Sequence, residues 1–186
     1  MIKLIGISGS LRRRSFNTAL LRAAAGLLPE QAKIEIRTLH GIPLYDADVE
    51  AADGLPASVS ALKEAVVAAD GVLLVTPEYN NGMPGVFKNA IDWMSRPDAD
   101  IARVFGGKMF ALMGASNGGF GTTLSQAAWL PVLRTLGTRV WFGGRMLLSH
   151  APAAFDEALA LKDAAVQQRV RTFLAGFVAA VRRSQH

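Results

Sequence analysis

Two rhythms of apolar residues alternate along this chain. Short unbroken apolar runs give way to stretches with apolar positions three and four apart, and the exchange repeats from end to end. Lys3–Ser8 is a short apolar run closed by Gly9 and Ser10, which predicts a buried strand followed by a loop. Asn17–Leu28 spaces Leu20, Leu21, Ala24 and Leu28 as a helix does, and Pro29 stops it. Lys33–Thr38 alternates charged and apolar residues, the mark of an outer strand. Residues 39–54 read as a loop with Pro43 and Gly54, and Ser58–Ala69 as a helix. Gly71–Thr76 is a continuous Val and Leu run, which predicts a strand covered on both faces.

Pro77–Met83 is a polar loop, and Pro84–Ser95 a helix with Pro in its first turn, where a missing N–H is harmless. Lys108–Gly114 predicts another buried strand, Ala115–Gly121 a loop of small residues, and Thr122–Leu136 a helix kinked at Pro131. Arg139–Phe142 reads as a further strand. Phe155–Arg183 reads as a long amphipathic helix with Val166, Val170, Phe173, Phe177 and Val181 on one stripe. Strands alternating with helices imply a parallel sheet with helices on both faces, and right-handed crossovers make it doubly wound. Ligands of such sheets bind beyond the carboxyl ends of the strands.

Composition narrows the picture. The 186 residues show no repeat or linker, so residues 1–186 are expected to form one domain. Hydrophobic residues make up 51% and charged residues 19%, which excludes a disordered chain. The absence of cysteine excludes disulfides, thiolate catalysis and Cys-ligated metal, and fits a reducing cytosol. The apolar part of Met1–Ser8 is too short for a signal peptide. No apolar run approaches the ~18 residues of a membrane span, so a cytoplasmic protein without membrane contact is expected. The net charge of +5 is uneven: residues 1–93 carry −1 and residues 94–186 carry +6. A basic half suits anionic substrates. With no helix-turn-helix signature, RNP-type motif or basic arm, nucleic acid is not an expected partner. His40, His150 and His186 lack metal-ligand spacing, and no Ser-His-Asp set is tied by context.

Three buried strands end in unusual loops that the topology brings to one sheet edge. Loop one, Gly9–Asn17, offers the hydroxyls of Ser10 and Ser15, the Asn17 amide, arginines and free N–H groups at a helix start. Such a set suits a phosphate; the competing reading is a solvent loop with a helix cap. Neither GxxxxGK[ST] nor GxGxxG is present, so a phosphate monoester fits better than a pyrophosphate. Arg12 is assigned to the site, and Arg13 and Arg14 to solvent. Loop two, Thr76–Pro84, is stiffened by two prolines, with Gly82 permitting a sharp turn. Its amides and Tyr79 could grip a planar heterocycle, or Glu78 could simply be solvated. Loop three, Ala115–Gly121, has three glycines that allow close approach of a flat ligand, or mere flexibility.

With these loops placed, the chain resembles the NADPH-dependent FMN reductase family, including bacterial chromate and quinone reductases and related azoreductases. GSLRRRSFN at 9–17, PLYDADVE at 43–50, ADGVLLVTPEYNNGMPGVFKNAIDWMSR at 69–96 and ASNGG at 115–119 carry the resemblance. It implies a flavodoxin-like α/β three-layer sandwich with a five-stranded parallel sheet of order 2-1-3-4-5. It also implies that Ser10, Arg12, Ser15 and Asn17 hold the FMN phosphate, with Leu11 and Phe16 on the same loop. Pro77, Glu78, Tyr79 and Asn80 would meet the isoalloxazine ring, and Ser116, Gly118 and Gly119 would bind on loop three. NADPH or NADH would be the donor, and a quinone, free flavin, azo compound or chromate the acceptor, in a ping-pong cycle. Members are usually homodimers or homotetramers. Asn81-Gly82 stands where several members carry bulkier residues, and Thr123-Leu124 replaces a small-residue–Arg pair, which bears on tetramer contacts and acceptor preference. No catalytic side chain and no metal is expected, because the flavin carries the chemistry. Asp92 and Trp93 read as a helix-surface charge and core packing. The alternatives are a flavodoxin-like electron carrier, a class typically acidic where this chain is basic, and a flavin-free binding module.

Overall fold

β1 (Ile2–Ser8) enters the core directly from the N-terminus in the computed structural model, which describes residues 1–185; His186 lies outside the described residues. There follow α1 (Phe16–Gly26), β2 (Ala32–Thr38), α2 (Ala47–Asp53), α3 (Ala57–Ala68), β3 (Gly71–Val75) and α4 (Gly85–Met94). A 3-10 turn at Asp98–Asp100 leads into α5 (Ile101–Val104), β4 (Met109–Ala115), α6 (Thr123–Thr135) and β5 (Arg139–Val140). β6 (Met146–Leu148), α7 (Ala151–Ala154) and α8 (Ala164–Arg183) complete the chain. All strand pairs are parallel, in the order β2-β1-β3-β4-β5 that the resemblance implies.

Alternation along the central strands explains the layers. Leu4, Leu73, Val75, Ala111 and Met113 face one apolar cluster with α1 and α8, where the expected stripe from Val166 to Val181 is buried. Ile5, Ile7, Val72, Leu74, Phe110 and Leu112 face the other, with α3, α4 and α6. β3 is buried along its whole length, as a strand covered on both faces must be.

The structure corrects four details. The sheet has six strands, because β5 and β6 share the outer position, along Met109–Phe110 and Met113–Ala115 of β4. The expected strand at 139–142 stops at Val140 because Trp141 turns its indole against Phe173 and Phe177, with ring centroids 5.1 and 5.7 Å away. Within the expected loop 39–54 lies α2, capped by Asp46 accepting from the Asp48 N–H at 2.9 Å. It buries no residue, so it leaves no apolar rhythm to read. The last helix starts at Ala164, not at Phe155, because Phe155 and Leu161 pair across a turn and Asp163 then caps the helix. α6 runs from Thr123 to Thr135 through Pro131, which removes one helical donor without ending the helix.

One buried cation needs a partner. Lys63 is 1% exposed, and its ammonium meets Asp100 at 2.8 Å and donates to the Arg96 carbonyl. Hydrogen bonds from Arg103 and then Lys63 hold the Asp100 carboxyl well below the usual carboxylate range. A depressed carboxyl stabilises the fold above its ordinary value of 3.8 and loses that contribution as pH falls through the folded value. Asp100→Asn is therefore expected to lower stability at neutral pH. The difference from wild type should narrow as pH falls below about 4, a trend that urea titrations at pH 7 and pH 3 would check.

Candidate functional site

The three loops leave the sheet at one level. Ser8 pairs with Val75 and Val75 with Met113, the Gly9 N–H donates to Val75, and the Thr76 N–H to Met113. Gly9 makes the exit of loop one possible: a Cβ there would lie 2.2 Å from the Phe87 ring. Loop one then runs to Ser15, whose hydroxyl caps α1 by accepting from the Thr18 N–H at 3.2 Å. The first N–H groups of α1 have no partner within the helix and carry its positive dipole end.

Asn17 joins loop one to loop three. Its amide donates to the Ala115 carbonyl at 2.8 Å and accepts from the Ala115 N–H at 2.9 Å, both buried. The carboxamide expected on a phosphate is thus engaged with a peptide group of β4. Loop two folds differently from expectation. Tyr79 and Gly82 exchange backbone bonds at 3.1 and 3.0 Å, and the sharp turn is made by Asn80 and Asn81 at φ 49° and 61°, not by Gly82. Both central residues at positive φ are the pattern of a type I′ hairpin turn, which asparagine tolerates. Glu78 is not simply solvated: its carboxylate accepts from the N–H groups of Leu124 and Ser125 at 2.8 and 3.0 Å, capping α6 from another loop.

Behind loop two, Thr76 and Ser125 share a hydroxyl–hydroxyl bond of 2.8 Å, and the Trp129 indole donates to Thr76 at 3.2 Å. Further along, Trp93 is fully buried and donates to the Pro43 carbonyl, while Asn89 donates to that carbonyl and accepts from the Tyr45 N–H. The shared motifs at 43–50 and 89–93 are therefore a clamp between a loop and α4. Loop three is stitched to the chain after β6 by the Ser116 N–H to Leu148 and the Ala151 N–H to Ser116.

Between the loops lies a cleft of about 230 Å³. Its lining includes Ser10, Arg12, Ser15, Phe16, Asn17, Pro77, Glu78, Tyr79 and Ser116, together with Ala115 and Asn117, which sequence reasoning did not single out. Leu11, Asn80, Gly118 and Gly119 lie on the same loops but not among the lining residues. Three hydroxyls share one arrangement. Ser10 accepts from the Arg12 N–H at 3.3 Å, Ser15 from Thr18, and Ser116 from the Gly118 N–H at 3.1 Å. A hydroxyl that has accepted from its own loop still has its proton to donate. The cleft is thereby lined with donors, one arginine and a helix start. A roomier cavity of about 370 Å³ lies elsewhere, walled by apolar residues such as Leu130, Trp141 and Phe142 together with Thr123, Gln126 and Arg145. The smaller cleft is set apart by position, since three strand-end loops and the start of α1 converge on it.

A family description of NADPH-dependent FMN reductases matches residues 2–153, a span that holds all three loops. The chain belongs to the NADPH-dependent FMN reductase family. Within it, an NAD(P)H-dependent FMN reductase of Pseudomonas aeruginosa is 42% identical over 182 residues, covering 98% of this chain and 96% of that protein. A 2-hydroxy-1,4-benzoquinone reductase of Burkholderia is 36% identical over 181 residues, covering 97% of each. Among solved structures, the flavoenzyme NAD(P)H:(acceptor) oxidoreductase FerB of Paracoccus denitrificans superposes with a TM-score of 0.84 at 31% identity, covering 99% of both chains. As a family member the chain is an enzyme of the oxidoreductase class. Its cleft lining contains no histidine or lysine, and its one carboxylate, Glu78, caps a helix. No group of three or more metal-ligating side chains occurs among the described residues, and no described helix is long and apolar enough to cross a membrane.

Proposed function

We propose that this reductase binds FMN in the three-loop cleft, takes electrons from NADPH or NADH, and passes them to a small acceptor, with a quinone foremost. The observation that carries the reading is the trio of serine hydroxyls, each fixed by its own loop and free to donate, beside Arg12 and the start of α1. That donor set fits a phosphate monoester, and the Pro77–Tyr79 wall fits a flat ring. When bound, FMN supplies the redox chemistry. The chain's part is to hold and orient. Ser10, Arg12 and Ser15 take the phosphate, Ser116 meets the ligand from loop three, and Asn17 keeps loops one and three in register. Half-exposed Tyr79 leaves one side of the cleft open, so nucleotide and acceptor would use the same space in turn, a ping-pong cycle. The quinone preference rests on the Burkholderia relative, and a cytoplasmic setting goes with the nucleotide requirement. We further propose a homodimer or homotetramer; Phe120 and Phe142, 83% and 73% exposed, support association of copies, which light scattering would measure.

The purified protein is expected to be yellow, to bleach on adding nucleotide without oxygen, and to consume nucleotide continuously when benzoquinone is present. A colourless protein that FMN cannot reconstitute would overturn the reading, and a yellow protein that neither nucleotide bleaches would point to an electron carrier. Ser15→Gly separates binding from folding, because glycine in place of a capping serine costs only a few tenths of a kcal/mol. Loss of a hydrogen bond to a charged group, about 1.5–3 kcal/mol, should weaken FMN binding roughly ten- to a hundred-fold. Unchanged affinity by fluorescence titration would place the phosphate elsewhere.

A further inference from the structure

Arg14 does something its sequence position conceals. Its guanidinium donates to the backbone carbonyl of Glu157 at 2.7 Å, across 143 residues of chain. Two positions on, Phe16 packs against Phe155 with ring centroids 5.4 Å apart. The receiving turn is well braced: Asp156 and Ala160 exchange bonds through the Asp156 N–H at 3.0 Å and its carboxylate at 2.8 Å. Phe155 and Leu161 close the turn by pairing across it. Loop one is also held at both ends, by the His40 ring at 3.1 Å from the Leu11 carbonyl and by the Asn17 bonds to Ala115. Between those ends, among the described residues, the Arg14 bond and the Phe16–Phe155 contact both reach the 155–161 turn, and the Arg14 bond is the polar one. It sits next to Ser15 and two residues from Arg12, the groups assigned to the phosphate.

We propose that Arg14 is a positioning residue for the cofactor: it ties the middle of loop one to the 155–161 turn, so that Arg12 and Ser15 stand in place before the phosphate arrives. The proposal rests on the FMN reading above. Pre-ordering a loop removes part of the ordering loss that binding otherwise carries. An exposed, charge-assisted bond of this kind is worth enough to change affinity by about three- to tenfold.

The test uses FMN, riboflavin and the ligand-free protein. Arg14→Ala is expected to raise the Kd for FMN about three- to tenfold, to leave riboflavin binding unchanged, to lower the urea midpoint only by the small worth of one exposed bond, and to speed amide hydrogen exchange of residues 11–15 without ligand. Arg14→Lys keeps the charge on a shorter side chain with less reach to the Glu157 carbonyl, so it should fall short of wild type. Glu157→Ala keeps the carbonyl and should match wild type. Full FMN affinity in Arg14→Lys with amide exchange of residues 11–15 still fast would mean that charge alone acts on the phosphate, and would overturn the tether. Wild-type FMN affinity and wild-type exchange in Arg14→Ala would overturn it too. If the unaltered protein failed to bind FMN, the cofactor reading would fall, while hydrogen exchange would still decide the tether.

Discussion

Asn17→Ala is expected to lower the stability of the ligand-free protein by about 2–4 kcal/mol. The substitution removes two buried hydrogen bonds at once and leaves both the N–H and the carbonyl of Ala115 without their partner. Unpaired buried backbone groups retain their desolvation penalty, which is why the loss exceeds that of two ordinary bonds. Because Ala115 ends β4 and opens loop three, FMN affinity should fall along with stability. Asn17→Asp gives a sharper comparison. A carboxylate can still accept from the Ala115 N–H but sets a second oxygen against the Ala115 carbonyl. Its deficit at neutral pH should therefore shrink on acidification, as a protonated carboxyl regains a donor. Urea titration of the three proteins at two pH values reads this directly. A stability for Asn17→Ala within ~0.5 kcal/mol of wild type, the range of an ordinary surface change, would deny the clasp any structural weight.

Gly114→Ala should be about as damaging for a different reason. A Cβ at Gly114 would stand 2.1 Å from the Thr76 carbonyl oxygen and 2.5 Å from the Thr122 hydroxyl. Neither neighbour can yield freely. The Thr76 N–H is bonded to Met113, its hydroxyl is bonded to Ser125 and accepts from Trp129, and Thr122 is fully buried. Overpacking of this kind is expected to reach about 3 kcal/mol, a fall in Tm of roughly 6–12 °C for a chain of this size. Gly118→Ala is the matched control: its Cβ would meet nothing nearer than the Ser116 hydroxyl at 3.7 Å. That variant should melt with wild type, yet lose FMN affinity if the ligand lies against the loop. Equal melting temperatures for Gly114→Ala and wild type would show that β3 and β4 separate at their ends more easily than their packing implies.

The frame of this fold is legible in the sequence because its signals are local. β3, β4 and the part of β1 beyond Lys3 are buried on both faces, so each is written as a mainly apolar run bounded by glycine or polar residues. Elements held by something other than burial are silent: α2 buries nothing, and β6 is a three-residue remnant beyond the Trp141 break. The site divides in the same way. Ser10, Arg12, Ser15 and Pro77–Tyr79 announce themselves as loop chemistry after buried strands. What the polar groups bond to does not, since Glu78 finds its partners 46 and 47 residues away, Asn17 finds its own 98 away and Arg14 finds its own 143 away. No spacing rule spans such separations. Loop two shows an intermediate case. A turn is evident from its composition, but which residues adopt positive φ depends on the Tyr79–Gly82 pairing that closes it.

The broken outer position of the sheet bears on how the protein behaves in a crowded solution. A long flat border would offer a ready template on which a foreign strand could polymerise. Here one border is divided into segments of two and three residues, with Trp141 folded inward between them. The opposite border, β2, places Lys33, Glu35 and Arg37 in alternation along its length. Chains that meet edge to edge thus find either too short a ladder or a row of charges, and fibrillar growth is discouraged at both margins.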